Sequence, residues 1–163
     1  MISTDKRLEY ASGFIALGMV DEASDELEAI DYPDRLSAKV LSVRIDLYHE
    51  AKDWELLKAV AKAYAKVLPK EEKGWISHAF ALRELSLVEE ARTVLLEAEP
   101  VHGEGCATLH YNLACYHCLL GELEEAKGRL KRACKADASF KKEALDDPDL
   151  KGLWDSWSPA MEE

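Results

Sequence analysis

Apolar positions along the chain fall into paired short stretches that share one internal frame. The sharpest instance runs from Tyr111 to Ala133. There a small Ala114 sits within a first apolar helical stretch, Leu120-Gly121 breaks it, and Leu123, Ala126, Leu130 and Ala133 mark one face of a second. The frame recurs upstream as Ala79, Leu85-Ser86, Val88, Ala91, Leu95 and Ala98, and again as Ala11, Leu17-Gly18, Val20, Ala23, Leu27 and Ile30. A more divergent copy reads Ile45, Ala51-Lys52, Trp54, Leu57, Ala61 and Tyr64. The equivalent residues Ala23, Leu57, Ala91 and Ala126 step by 34, 34 and 35 positions. Each copy predicts two short antiparallel helices. Such a hairpin cannot bury its own apolar face, so neighbouring copies must stack to make a continuous core. The small alanines admit close helix approach, and aromatic and branched residues fill the gaps around them.

The pattern therefore predicts an all-α, single-domain chain. Four hairpins are expected at about 4–35, 36–70, 71–105 and 106–138, capping helices at about 139–158, and a short tail at 159–163. In the first hairpin Gly18 suits a left-handed turn, Asp21 and Glu22 suit the positive end of the second helix, and Pro33 stops it. In the second, Leu41, Ile45 and Tyr48 share a face, Asp53-Trp54 opens the partner helix, and Pro69 closes the unit. The third carries Trp75, Ala79 and Leu82 in the same positions. Its second helix, from Val88, is expected to end at Glu99 before Pro100, and the glycine-bearing segment after it is expected to be the most mobile connection. Beyond the fourth hairpin, Phe140 to Leu145 predicts one more helix, and Asp147-Pro148-Asp149 a helix start with its cap and first-position proline. The stripe Leu150, Leu153, Trp154 and Trp157 then has two readings: a cover for the exposed end of the last hairpin, or a docking helix for a partner or a second copy.

Composition narrows the function classes. The 163 residues are 48% apolar and 33% charged, which describes one globular helical domain rather than a disordered chain. A net charge of −11 disfavours nucleic acid and anionic lipid surfaces, and favours basic or neutral partners. Met1 to Phe14 is charged within its first turns, and no stretch approaches a membrane span, which predicts a cytoplasmic protein. Cys106, Cys115, Cys118 and Cys134 all fall in the last hairpin, as suits reduced thiols better than a disulfide framework.

Over about residues 4–135 the Ala/Gly/Leu frame resembles the tetratricopeptide-repeat family. The C-terminal part, with Asn112-Leu113-Ala114-Cys115, Leu120-Gly121, Glu125-Ala126 and Asp147-Pro148-Asp149-Leu150, is similar to the terminal-repeat module that ends many bacterial arrays. The resemblance implies a right-handed superhelical solenoid that acts as a non-catalytic protein-binding scaffold without a cofactor. It also implies that the first helix of each pair lines a concave groove for a peptide or partner helix. By register the second repeat would contribute Lys39, Ser42, Val43, Asp46 and His49. The third would add Lys73, Ile76, Ser77, Phe80, Arg83 and Glu84, and the fourth Thr108, Tyr111, Asn112, Cys115 and Cys118. One subset of the family clamps acidic C-termini of chaperones with Lys, Asn and Arg. Here Leu8, Ser12 and Val43 stand at such positions in one register, and Asp46 and Asn112 are misplaced in the other, so the clamp is not expected. Two further binding readings are a dedicated chaperone for a secreted substrate, and self-association through the groove or the Trp154/Trp157 stripe.

The most site-like cluster is Cys115-Tyr116-His117-Cys118 with His110 and Cys106. At about 100° per residue, these side chains straddle more than half of the helix circumference and cannot converge on one tetrahedral zinc. His110 and His117 occupy the slots of Trp75 and Leu82 one repeat earlier, which points to packing and to no metal. A thiol- or metal-dependent activity at Cys115/Cys118 is the alternative of a different class. No phosphate loop, nucleophile elbow or paired zinc motif occurs, and no enzyme is expected.

Overall fold

The computed structural model describes residues 1–155 and 157. These residues are all-α: α1 (Thr4–Ala16), α2 (Val20–Glu28), α3 (Ala38–Glu50), α4 (Trp54–Val67), α5 (Glu72–Glu84), α6 (Val88–His102), α7 (Ala107–Leu119), α8 (Leu123–Ala136) and α9 (Phe140–Asp146). Short 3₁₀ segments lie at Asp34–Leu36 and Pro148–Leu153. The expected tail at 159–163 lies outside the described residues. The chain forms two compact units, residues 1–85 and 86–163.

The repeat is written into the backbone as well as the sequence. Left-handed residues occur at Gly18 (φ 72°), Lys52 (φ 54°), Ser86 (φ 63°) and Gly121 (φ 78°), one for each step of the apolar frame. At the ends of α1, α3 and α7 the same pair of bonds closes the helix. Met19 N–H donates to Phe14 O at 2.9 Å, Asp53 N–H to Tyr48 O at 3.0 Å, and Glu122 N–H to His117 O at 2.9 Å, with the preceding residue's N–H bonded one turn in. Lys52 and Ser86 hold this conformation without glycine, at about 1–2 kcal/mol each. The turn geometry thus persists where the glycine signal does not.

In residues 1–85, α1 and α2 close over Ala11, Ala23 and Leu27, none of which has exposed surface. The middle helix α3 is apolar on two sides. Val40 and Leu47 complete the α1–α2 cluster, whereas Leu41 and Ile45 join Leu57, Val60, Ala61 and Tyr64 of α4 and Ala81 of α5. Helices α4 and α5 approach closely because α5 carries Gly74. A Cβ there would stand 2.7 Å from Ala65 N and 2.9 Å from Tyr64 Cδ1.

In residues 86–163, α7 is buried along almost its whole length, since α6, α8 and the C-terminal 3₁₀ segment all pack on it. Its partners supply Ala91 and Leu95 from α6, Ala126, Leu130 and Ala133 from α8, and Leu150 and Leu153 from the C-terminal segment. Helix α6 differs from expectation: it runs through Pro100 to His102. The proline sits in the last turn and deprives only the carbonyl of the exposed Leu96 of an N–H, a loss that water can make good. The glycine-bearing connection is consequently shorter than expected and tied down. Cys106 N–H donates to His102 O at 3.0 Å, and Gly103 O accepts from His110 Nε2 at 2.6 Å.

Candidate functional site

Two contacts set α3 beside α5. Lys73 Nζ donates to Ser42 O at 3.2 Å and Ser42 Oγ at 2.9 Å, and stands 2.8 Å from Asp46 Oδ1. Two turns further along, the rings of His49 and Phe80 meet at 4.9 Å between centroids with a 30° tilt. Ser42, Asp46 and His49 of α3 are thereby brought against Lys73 and Phe80 of α5. Asp46, His49 and Glu84 are exposed, and Ser42, Lys73, Ile76, Ser77, Phe80 and Arg83 are half-buried. Lys39, also exposed, reaches across to α1, with Nζ 2.9 Å from Asp5 Oδ1.

Val43 does not belong to this face. It packs against the α1–α2 cluster because it continues the stripe of Val40 and Leu47, three and four residues to either side. Trp54 does belong, although the apolar frame assigns it to the hairpin core. Its ring stands edge-on to His49 at 6.0 Å and 84°, and to Phe80 at 5.7 Å and 67°. With Glu50, Lys52 and Glu84 these rings line an open hollow of about 500 Å³. Helix-face geometry alone could not reveal it, because Glu50, Lys52 and Trp54 come from the end of α3, the turn and the start of α4. The one hint in the sequence is an aromatic residue immediately after a helix-capping aspartate, and Asp53 does accept from Leu56 N–H at 3.2 Å.

On α7 the expectation fails for three residues. Tyr111, Cys115 and Cys118 are buried, and Thr108 and the half-buried Asn112 alone of the five reach the surface. The C-terminal segment covers them. Tyr111 stacks on Phe140 at 4.4 Å and 16°, its hydroxyl donates to Asp147 Oδ2 at 2.7 Å, and Cys115 Sγ lies 3.7 Å from the same oxygen. Asp147 Oδ1 caps the 3₁₀ segment by accepting from Asp149 N–H at 2.9 Å. Leu150 and Leu153 of the expected stripe are buried, while Trp154 is half-buried and stacks on Trp157 at 5.9 Å, with Lys127 and Lys131 over the Trp157 ring.

Both histidines of α7 are buried and hydrogen-bonded. His110 is buried, with Nε2 donating to Gly103 O and Nδ1 accepting from Arg129 at 3.1 Å; Arg129 also grips both oxygens of Glu99 at 2.6 and 2.9 Å. Burial, reinforced by Arg132 and Arg129, holds the imidazole below its ordinary range. The hydrogen bond from Arg129 keeps the Glu99 carboxylate low as well. His117 Nδ1 meets Glu122 Oε2 at 2.5 Å, and Arg92 pairs with the same carboxylate.

Among the described residues Cys115, Asp147 and Asp149 bring potential metal-ligand atoms within 4.8 Å of one another. Both Asp147 oxygens already accept hydrogen bonds. Burial and the Asp147 charge push the Cys115 thiol far above its ordinary range, and burial raises Cys118 and Cys134 too. Burial of this kind disfavours the reactive thiolate. Among the described residues no helix is long and apolar enough to cross a membrane.

With this geometry in view, the chain is similar to a solved structure, a thermophilic TPR protein of Thermus thermophilus. The TM-score is 0.71 at 20% identity, over 94% of this chain and 82% of that one. The fold is that of a tetratricopeptide-repeat protein. No family model matches the chain, and no curated protein does. The terminal-repeat module therefore has no support beyond its motifs, whereas the repeat fold rests on the structural likeness, the apolar frame and the four left-handed turns.

Proposed function

We propose that the chain is a non-catalytic protein-binding module that holds a peptide or partner helix against the α3–α5 face of residues 1–85. The observation that carries this reading is the pairing of Lys73 with Asp46 and of His49 with Phe80. It aligns two helices so that charged, polar and aromatic side chains sit on one surface. Repeat folds of this kind generally mediate protein–protein contact, and the helices need little ordering on binding. Phe80 and Trp54 serve as apolar anchors, and Lys39 and Asp46 orient the partner. Tyr111, a groove candidate from register, is buried and takes no part in this face.

The test is affinity capture from source-cell lysate, comparing the wild type with Asp46→Arg/His49→Ala/Glu84→Arg and with a control, Glu124→Lys/Glu125→Lys, on the exposed start of α8. All three must show equal helicity. A protein recovered with wild type and control but lost with the face variant supports the reading. Equal recovery with the face variant removes it.

A further inference from the structure

We infer that the hollow lined by His49, Trp54 and Phe80 takes the guanidinium of an arginine presented by the partner peptide, with Glu50 and Glu84 as its counter-charges. The inference rests on the protein-binding reading above and gives it a partner chemistry. The His49 and Phe80 rings meet at 4.9 Å with a 30° tilt and Trp54 stands edge-on to both, so three aromatic rings border one open space. Aromatic faces attract cations, and the flat guanidinium both stacks on a ring and forks onto a carboxylate, which an ammonium does not.

Charge decides among the occupants. Two carboxylates, both exposed, face one ammonium, Lys52, around the rim, and the whole chain carries −11. An acidic peptide would meet like charge. A purely apolar one would cover Glu50 and Glu84 without pairing them, at the cost of their hydration. An arginine satisfies the rings and the carboxylates together.

The test uses the full chain labelled with ¹⁵N and three short peptides, blocked at both ends, with a common Gly/Ser/Leu background and a central arginine, citrulline or glutamate. Citrulline keeps the shape and loses the charge. The arginine peptide is expected to shift the Trp54 indole and Phe80 signals, and citrulline to bind about tenfold more weakly. The isosteric exposed variant Glu50→Gln/Glu84→Gln is expected to weaken the arginine peptide about tenfold and leave citrulline unchanged. Equal affinity for arginine and citrulline, or shifts that avoid the hollow, overturns the inference. If the arginine peptide binds elsewhere on α3 and α5, the inference falls and the protein-binding reading stands. If the captured partner also leaves that face untouched, both fall.

Discussion

The Tyr111 hydroxyl donates to Asp147 Oδ2 at 2.7 Å and so fastens the C-terminal segment onto α7. Asp147 is a three-way junction: it takes Tyr111 and Cys115 on one oxygen and caps the 3₁₀ segment with the other. Tyr111→Phe removes one of these bonds and should cost about 1 kcal/mol. Asp147→Ala removes the cap as well and strands two buried donors, so about 2–3 kcal/mol is expected. Urea unfolding of both variants measures this, and equal losses would mean that the cap and the Cys115 contact contribute nothing.

The segment that Asp147 anchors also shields the thiols. Leu150 is fully buried, and Leu150→Ala should lower stability by about 2–4 kcal/mol. It should also speed the reaction of Cys118 with a disulfide reagent in the native state. Unchanged Cys118 reactivity would show that the segment is not what covers that thiol.

Stability should fall on both sides of neutral pH, for different residues. Tyr111 and Cys115 are acids raised by folding, so their contribution is complete below the unfolded values and is lost as pH rises, beginning near the cysteine value of about 8.5. Cys115→Ser keeps a donor for Asp147 and removes the thiol's titration, and should flatten the alkaline decline. His110 and Glu99 are lowered by folding, so their contribution is complete above the unfolded values, about 6.5 and 4.3, and is lost as pH falls through the folded ones. His110→Asn should flatten the profile from about pH 6.5 downward. Denaturation midpoints across pH measure both slopes, and variants that parallel the wild type would refute the assignments.

Two helix glycines should respond oppositely to alanine. At Gly74 a Cβ would strike the backbone of Ala65, so overpacking of about 1–3 kcal/mol should outweigh the propensity gain. At exposed Gly128 nothing lies within 4 Å, and alanine should stabilise by about 0.5–1 kcal/mol. Thermal unfolding of the two variants compares them directly.

These cases show why some of the molecule is legible in the sequence and some is not. The hairpins follow from the apolar frame because Ala11, Ala79, Ala91 and Ala126 are all fully buried where the period puts them. The Lys73 and Phe80 positions follow from helical spacing. Covering of Tyr111 and Cys115 does not, since the residues that bury them lie outside the repeat and obey no period. Nor does the aromatic hollow, which combines a helix end, a turn and a helix start. Val43 departs from its register assignment because α3 is apolar on two sides, and one helix-face argument cannot divide a residue between them.

Hydrogen–deuterium exchange of the full chain, with and without the captured partner, tests the binding face most directly. The expected result is slower exchange confined to residues 38–54 and 72–84, with the Asp46→Arg/His49→Ala/Glu84→Arg variant showing none. Protection centred instead on α2 or α8, with α3 and α5 unchanged, would contradict the account.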